Sequence, residues 1–124
     1  MEIIATPDAP QAIGPYSQAI REAGLVYTSG QTALDPATGT LVGGGFEAQV
    51  HRVFQNLDAV LRAAGSDFSR VIKANVYLTD LANFQALNKI YAEYLGDHKP
   101  ARTTIGVSQL PKDGAVEIDM IAAV

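Results

Sequence analysis

Arg102 is the side chain whose type and position point most directly to chemistry. It lies in residues 100–104 (PARTT), where a polar loop gives way to an apolar segment. A planar guanidinium fixed at such a boundary can take a carboxylate with two parallel hydrogen bonds, a task that lysine does less well. An arginine that lies along a strand edge with its charge in water would occupy the same position. Position alone leaves both interpretations open.

Glu117 is the candidate for a base that orients water. Carboxylates alternate with apolar residues in 117–121 (EIDMI), so Glu117 and Asp119 are expected on one face of a half-buried strand. Partial burial raises the pKa of a carboxylic acid and makes its ionised form a stronger base. An ordinary solvent-facing strand residue would fit the same pattern, and Asp119 has the same claim as Glu117.

Further polar residues occupy positions where a ligand could contact them. Tyr16 follows a Gly-Pro turn, and Ser29 and Gly30 end a predicted strand, where glycine lets the backbone approach a ligand closely. Asn88 interrupts the apolar stripe of a predicted helix, three residues before Tyr91. The alternatives are tyrosines that pack through their rings and a plain turn at Gly30.

Composition excludes several other kinds of site. The chain has no cysteine, which rules out disulfides, thiolate metal sites and cysteine nucleophiles. Its two histidines, His51 and His98, lie in neither a triad order nor a metal-ligand cluster, and glycines 43–45 lack the residues of a P-loop. The net charge of −4 argues against nucleic acid as a partner. Without a basic start or a long apolar run, we expect a cytoplasmic protein with no membrane segment.

Alternating strands and helices must position these residues. A chain of 124 residues, 48% of them hydrophobic, predicts one domain over residues 1–124. Apolar spacings of three and four predict a helix over residues 46–64, ended by Gly65, and a second around Phe84 to Leu95, capped by Asp80 and stopped at Gly96. Strands are predicted at residues 3–4, 17–20, 25–28, 71–78, 103–107 and 115–122, with a turn at 21–24. This order is typical of an α+β fold.

The predicted sheet cannot be covered by the chain itself on both faces. Helices on one face leave the other face bare, and no further element is available in a chain of 124 residues. Association of several copies would cover the bare face. Closed dimers and closed trimers would both do so, and either subunit number is compatible with the sequence.

Five segments taken together resemble the reactive intermediate deaminase family, RidA, also called YjgF. They are residues 12–18 (AIGPYSQ), 27–31 (YTSGQ), 73–80 (KANVYLTD), 100–102 (PAR) and 110–113 (LPKD). They stand in the family's order and span nearly the whole chain. The resemblance implies a chorismate-mutase-like α+β fold, with a mixed six-stranded sheet and two helices packed on one face. It also implies a homotrimer with ligand clefts between neighbouring subunits.

The activity that this resemblance implies is hydrolysis of short-lived 2-imino acids and their enamine tautomers, such as 2-aminoacrylate and 2-aminocrotonate, to 2-oxo acids and ammonia. No cofactor or metal is implied. Carried over by position, Arg102 clamps the substrate carboxylate with help from the backbone at Thr104, and Glu117 holds the attacking water. The remaining residues implied at this cleft are Tyr16, Ser29, Gly30 and, at its margin, Asn88.

One departure and three rival functions bear on this hypothesis. Thr104 stands where relatives carry cysteine, so no thiol is essential here. The strongest rival is a non-catalytic binder or sensor of small carboxylates such as 2-oxo acids, which could use the same arginine. A chaperone-like protein and a ribonuclease rank below it, and the acidic balance argues against the ribonuclease.

Overall fold

The computed structural model describes residues 1–124 and contains one mixed six-stranded sheet and two α-helices. The strands are β1 (Glu2–Ile4), β2 (Ala19–Glu22), β3 (Leu25–Thr28), β4 (Val71–Leu78), β5 (Ala101–Gly106) and β6 (Val116–Ala123). The helices are α1 (Gly45–Ala63) and α2 (Phe84–Leu95). The predicted α+β sheet with two helices is therefore confirmed. Neither α1 nor α2 has an apolar stretch of the length that a membrane-spanning helix needs.

The strands lie in the order β1-β2-β3-β6-β4-β5. Only β4 and β5 run parallel, because α2 connects them and returns the chain to the same end of the sheet. All other neighbours are antiparallel. The last strand, β6, therefore lies inside the sheet, while β5 is an edge strand.

Alternating burial on the central strands distinguishes the two faces of the sheet. One face packs against the helices and carries fully buried apolar residues, namely Ala74, Val76, Leu78, Val116, Ile118, Met120 and Ala122. The opposite face, here called the open face, carries partly exposed side chains: Lys73, Asn75, Tyr77, Glu117, Asp119 and Ile121. Glu117 and Asp119 share the open face, as their alternation predicts.

The strand predicted at residues 17–20 is two residues out of place, because β2 covers Ala19–Glu22. The turn predicted at 21–24 contains only Ala23 and Gly24, whose φ angles of 52° and 79° are both positive. Such a pair forms the tight two-residue turn that matches the twist of a hairpin. The shorter turn lets pairing continue up to Glu22 and Leu25.

The starts of two elements that carry candidate site residues, α2 and β5, differ from the predicted ones. Asp80 does not cap α2: its carboxylate accepts the amide hydrogen of Ala82 and caps a short 3₁₀ turn before the helix. Strand β5 begins at Ala101, because pairing with β4 starts there. Arg102 therefore lies inside a strand instead of in the loop before it. The ends of α1 and β6 move by one residue each.

Candidate functional site

Arg102 projects toward the helices, on the side of β5 that continues the buried face of β4. Its Nη1 donates a hydrogen bond to Oδ1 of Asn88, with a separation of 2.8 Å. The guanidinium carbon lies 4.8 Å from the centre of the Tyr91 ring and 5.5 Å from that of Phe84. These distances are typical of cation–π contacts. An amide and two rings from α2 thus hold the half-buried guanidinium, which is not simply a charge lying in water.

Two hydroxyl groups near Arg102 have no hydrogen-bond partner. They are Oγ1 of Thr104, which shares a face of β5 with Arg102, and the phenol oxygen of Tyr91. Burial raises the pKa of Tyr91, while the charge of Arg102 acts in the opposite direction. A buried hydroxyl without a partner costs about 1–3 kcal/mol, so such groups need an explanation. A polar ligand seated against Arg102 would provide one.

Glu117 lies on the open face of β6, opposite Tyr77 of β4. Burial and, second, the charge of Asp119 raise the pKa of Glu117. Gly30 approaches it so closely that a Cβ at this position would lie 2.8 Å from the Glu117 carboxyl carbon. Only glycine leaves room for the carboxyl group in its present position. Glu117, Ser29, Gly30 and Tyr16 line one cavity of about 860 Å³.

A buried amide, Gln18, holds one wall of this cavity. Its Oε1 accepts the amide hydrogen of Thr6 at 2.7 Å, and its Nε2 donates to the carbonyl oxygens of Ala9 and Pro10. Pro10 lines the cavity. Sequence reasoning missed this role, although Gln18 belongs to the 12–18 motif. No sequence signal identifies which distant carbonyls a glutamine will bind.

A second buried amide, Asn56 of α1, holds another wall. Its Nδ2 donates to the carbonyl oxygens of Thr32 and Leu34, at 3.3 and 3.0 Å, and both of these residues line the cavity. Arg52 donates to Oδ1 of Asn56 from the preceding turn of the helix. Asn56 was also missed, but its signal was available: it is a polar residue within the apolar stripe of α1.

The predicted site residues fall into two groups on opposite faces of the sheet. Arg102, Thr104 and Asn88 lie on the helix-facing side, whereas Tyr16, Ser29, Gly30 and Glu117 surround the cavity at the open face. A single chain therefore does not bring Arg102 and Glu117 together. Asn88 lies beside Arg102 and not at the margin of the cavity that Tyr16 lines. The roles of all seven residues stay predictions.

Comparison with known proteins assigns the chain to a family. The sequence model described as Endoribonuclease L-PSP matches residues 6–124. A RutC family protein of Pyrococcus horikoshii is 47% identical over 121 residues, which are 98% of this chain and 96% of that protein. The chain belongs to the YjgF/RidA family. The sequence resemblance is thereby confirmed.

RidA-family relatives include a named enzyme and solved structures. The 2-iminobutanoate/2-iminopropanoate deaminase of Capra hircus is 47% identical over 120 residues, covering 97% of this chain and 88% of that one. RidA from an Antarctic Psychrobacter is 44% identical, with a TM-score of 0.96 and full coverage of both chains. Escherichia coli TdcF with bound serine is 36% identical, with a TM-score of 0.94 over 100% of this chain and 99% of that one. These structures confirm the RidA fold.

Proposed function

We propose that this RidA-family protein hydrolyses reactive 2-imino acids and their enamine tautomers to 2-oxo acids and ammonia. The observation that carries the proposal is the arginine held by Asn88 and Tyr91, beside hydroxyl groups that lack partners. A guanidinium fixed in this way suits a carboxylate, which every 2-imino acid has. The Capra hircus relative that is named as an iminobutanoate and iminopropanoate deaminase supports the same substrate class.

Arg102 binds the acid end of the substrate in this proposal. The bond to Asn88 uses a hydrogen of Nη1, which leaves donors on the other guanidinium nitrogens. The backbone at Thr104 assists Arg102. The TdcF relative was solved with serine, an amino acid whose carboxylate and nitrogen-bearing carbon have the spacing of an imino acid. Fixing the carboxylate presents the imine carbon to water in one orientation.

Glu117 holds the attacking water and takes its proton. The raised pKa of Glu117 makes its carboxylate a stronger base than that of an exposed glutamate. The water oxygen bonds to the imine carbon as its proton passes to Glu117. The proton then moves to nitrogen, which gives a carbinolamine. As the C–N bond breaks, the hydroxyl proton of the carbinolamine also passes to nitrogen, and ammonia and the 2-oxo acid are released. No cofactor takes part in these steps.

A homotrimer with clefts between subunits would join the two groups of residues. Arg102 and Glu117 lie on opposite faces of the sheet, so one cleft can use Arg102 of one subunit and Glu117 of the next. The bare open face supports association, because large hydrophobic side chains remain exposed on the sheet: Tyr27 is 43%, Ile72 48% and Ile105 44% exposed. Symmetric copies would repeat the cleft at each interface.

An assay with imines generated in the cuvette tests this function. A dehydratase that removes water from serine or threonine supplies 2-aminoacrylate or 2-aminocrotonate, and release of the 2-oxo acid is followed. We expect the protein to raise the first-order rate of release in proportion to its concentration. A protein that binds the 2-oxo acid but leaves the rate unchanged would be a carboxylate sensor instead.

Substitution of Gly30 should disturb Glu117 specifically. In the Gly30→Ala variant the new methyl group meets the Glu117 carboxyl carbon at 2.8 Å, so the carboxylate must move away from its water. We expect kcat/KM for imine hydrolysis to fall at least about tenfold. Gly43→Ala is the matched control, because a Cβ there meets nothing within 4 Å. Equal rates for the two variants would contradict the placement of Glu117.

A further inference from the structure

Asp119 is a carboxylate on the open face that the proposed reaction does not use. It lies two residues beyond Glu117 on β6, on the same face of the sheet. Its Oδ1 accepts a hydrogen bond from Nδ2 of Asn75 at 2.8 Å, and its Oδ2 accepts one from the Tyr77 hydroxyl at 3.1 Å. Both donors come from β4. The carboxylate is thus held at both oxygens by the strand beside it.

The register of β4 and β6 ties this network to Glu117. Asn75 pairs with Asp119, and Tyr77 pairs with Glu117. The backbone of Tyr77 therefore lies beside Glu117, whereas its side-chain hydroxyl donates to Asp119. Burial and the charge of Asp119 raise the pKa of Tyr77, so its phenol remains protonated at neutral pH and continues to donate. Only donors contact Asp119, as an ionised carboxylate requires.

Other titratable groups near Glu117 are few. Those on the open face or across the cavity from Glu117 are Tyr16, Tyr27, Lys73, Tyr77, Lys112 and Asp119. Residues 29–31, which pass over Glu117, contribute none. Lys73 donates to Oγ1 of Thr103, and Lys112 donates to the carbonyl oxygen of Gly39, so each lysine has a partner other than Asp119. Neither lysine therefore neutralises Asp119, and the negative charge of Asp119 acts on Glu117.

We infer that Asp119 is a positioning residue for imine hydrolysis: its charge, fixed by Asn75 and Tyr77, makes Glu117 a stronger base toward the attacking water. The inference rests on the proposed function. Two carboxylates on one face of a strand repel each other, so the site favours transfer of a proton from water to Glu117. The same proton then passes to the imine nitrogen. Asp119 touches no reacting atom in this scheme.

The pH dependence of kcat/KM separates this role from a structural one. In the Asp119→Asn variant the acidic limb of the profile should move to lower pH, by up to about one unit, because Glu117 loses its negative neighbour. At neutral pH we expect kcat/KM to fall severalfold, within about a factor of ten. Asp119→Glu keeps the charge and should keep the acidic limb of the wild-type profile. Tyr77→Phe removes one hydrogen bond but no charge, and should also keep it.

Unchanged acidic limbs in Asp119→Asn would overturn the inference. The inference would also be overturned if the acidic limb moved as far in Asp119→Glu as in Asp119→Asn. That result would show that the size of the side chain matters and its charge does not. If Asp119→Asn does not fold, a ¹³C NMR titration of the wild-type carboxyl groups decides instead. A Glu117 curve that responds to ionisation of Asp119 supports the inference, and one that ignores it overturns it. A wild type that hydrolyses no imine would overturn the proposed function, while the same titration still measures the coupling.

Discussion

Replacing Arg102 with lysine should lower kcat/KM for imine hydrolysis by about a hundredfold or more, and replacing it with alanine should abolish the activity. Lysine keeps the charge but loses the planar fork that takes a carboxylate with two hydrogen bonds. It also loses the flat contact with the Tyr91 ring, whose centre lies 4.8 Å from the guanidinium carbon. Rates of 2-oxo acid release measure the loss.

Binding measurements distinguish this loss from misfolding. The affinity for a stable small 2-oxo acid should fall by a similar factor, because the carboxylate is bound in both the ground state and the transition state. Arg62→Lys is the matched control: Arg62 lies on the exposed side of α1 and pairs with Asp58 one turn earlier. We expect wild-type rates from that variant. Wild-type rates from Arg102→Lys would contradict the carboxylate clamp.

Local patterns predicted the elements that carry the site. The apolar spacing of α1 and the glycine after it placed the helix to within one residue at each end, because Gly65 adopts the left-handed conformation that ends helices, with φ of 83°. Asn88 stood out as a polar break in an apolar stripe, and it does contact Arg102. Glu117 and Asp119 share a face because a strand alternates its side chains. These outcomes depend on residues close in sequence.

The relation between the two groups of residues could not be predicted in the same way. Whether Arg102 faces the helices depends on the pairing of Ala74 with Arg102, between strands joined by a whole helix. A shift of one residue in that register would turn the arginine to the open face. The bonds of Gln18 and Asn56 likewise join segments far apart in sequence. Long-range register and loop contacts are set by tertiary packing, which spacing does not encode.

Opposite placement of Arg102 and Glu117 leads to a test of the proposed cleft between subunits. If each cleft takes Arg102 from one subunit and Glu117 from the next, neither Arg102→Ala nor Glu117→Gln has an intact cleft when expressed alone. A mixed trimer contains clefts in which both contributing residues are wild type. With equal amounts and random assembly, this holds for about a quarter of the clefts.

Co-expression of the Arg102→Ala and Glu117→Gln chains should therefore restore about a quarter of wild-type activity, from two parents that are each inactive.

Glu117→Gln should fold at least as stably as the wild type. Burial raises the pKa of Glu117 in the folded state, so the ionised form opposes folding at pH values above the unfolded pKa. The neutral amide of glutamine removes this unfavourable contribution to folding at neutral pH. Thermal unfolding curves of Glu117→Gln and of the wild type measure the difference in stability.

Mixing the double variant, Arg102→Ala with Glu117→Gln, into wild-type chains provides the control. An equal mixture should also leave about a quarter of the clefts intact, so the two mixtures are expected to match. A site built within one chain gives a different result: the mixture of single variants stays inactive, while the mixture with wild type keeps about half of its activity. That pattern would refute the cleft between subunits and leave the clamp at Arg102 to be explained by a movement of β5.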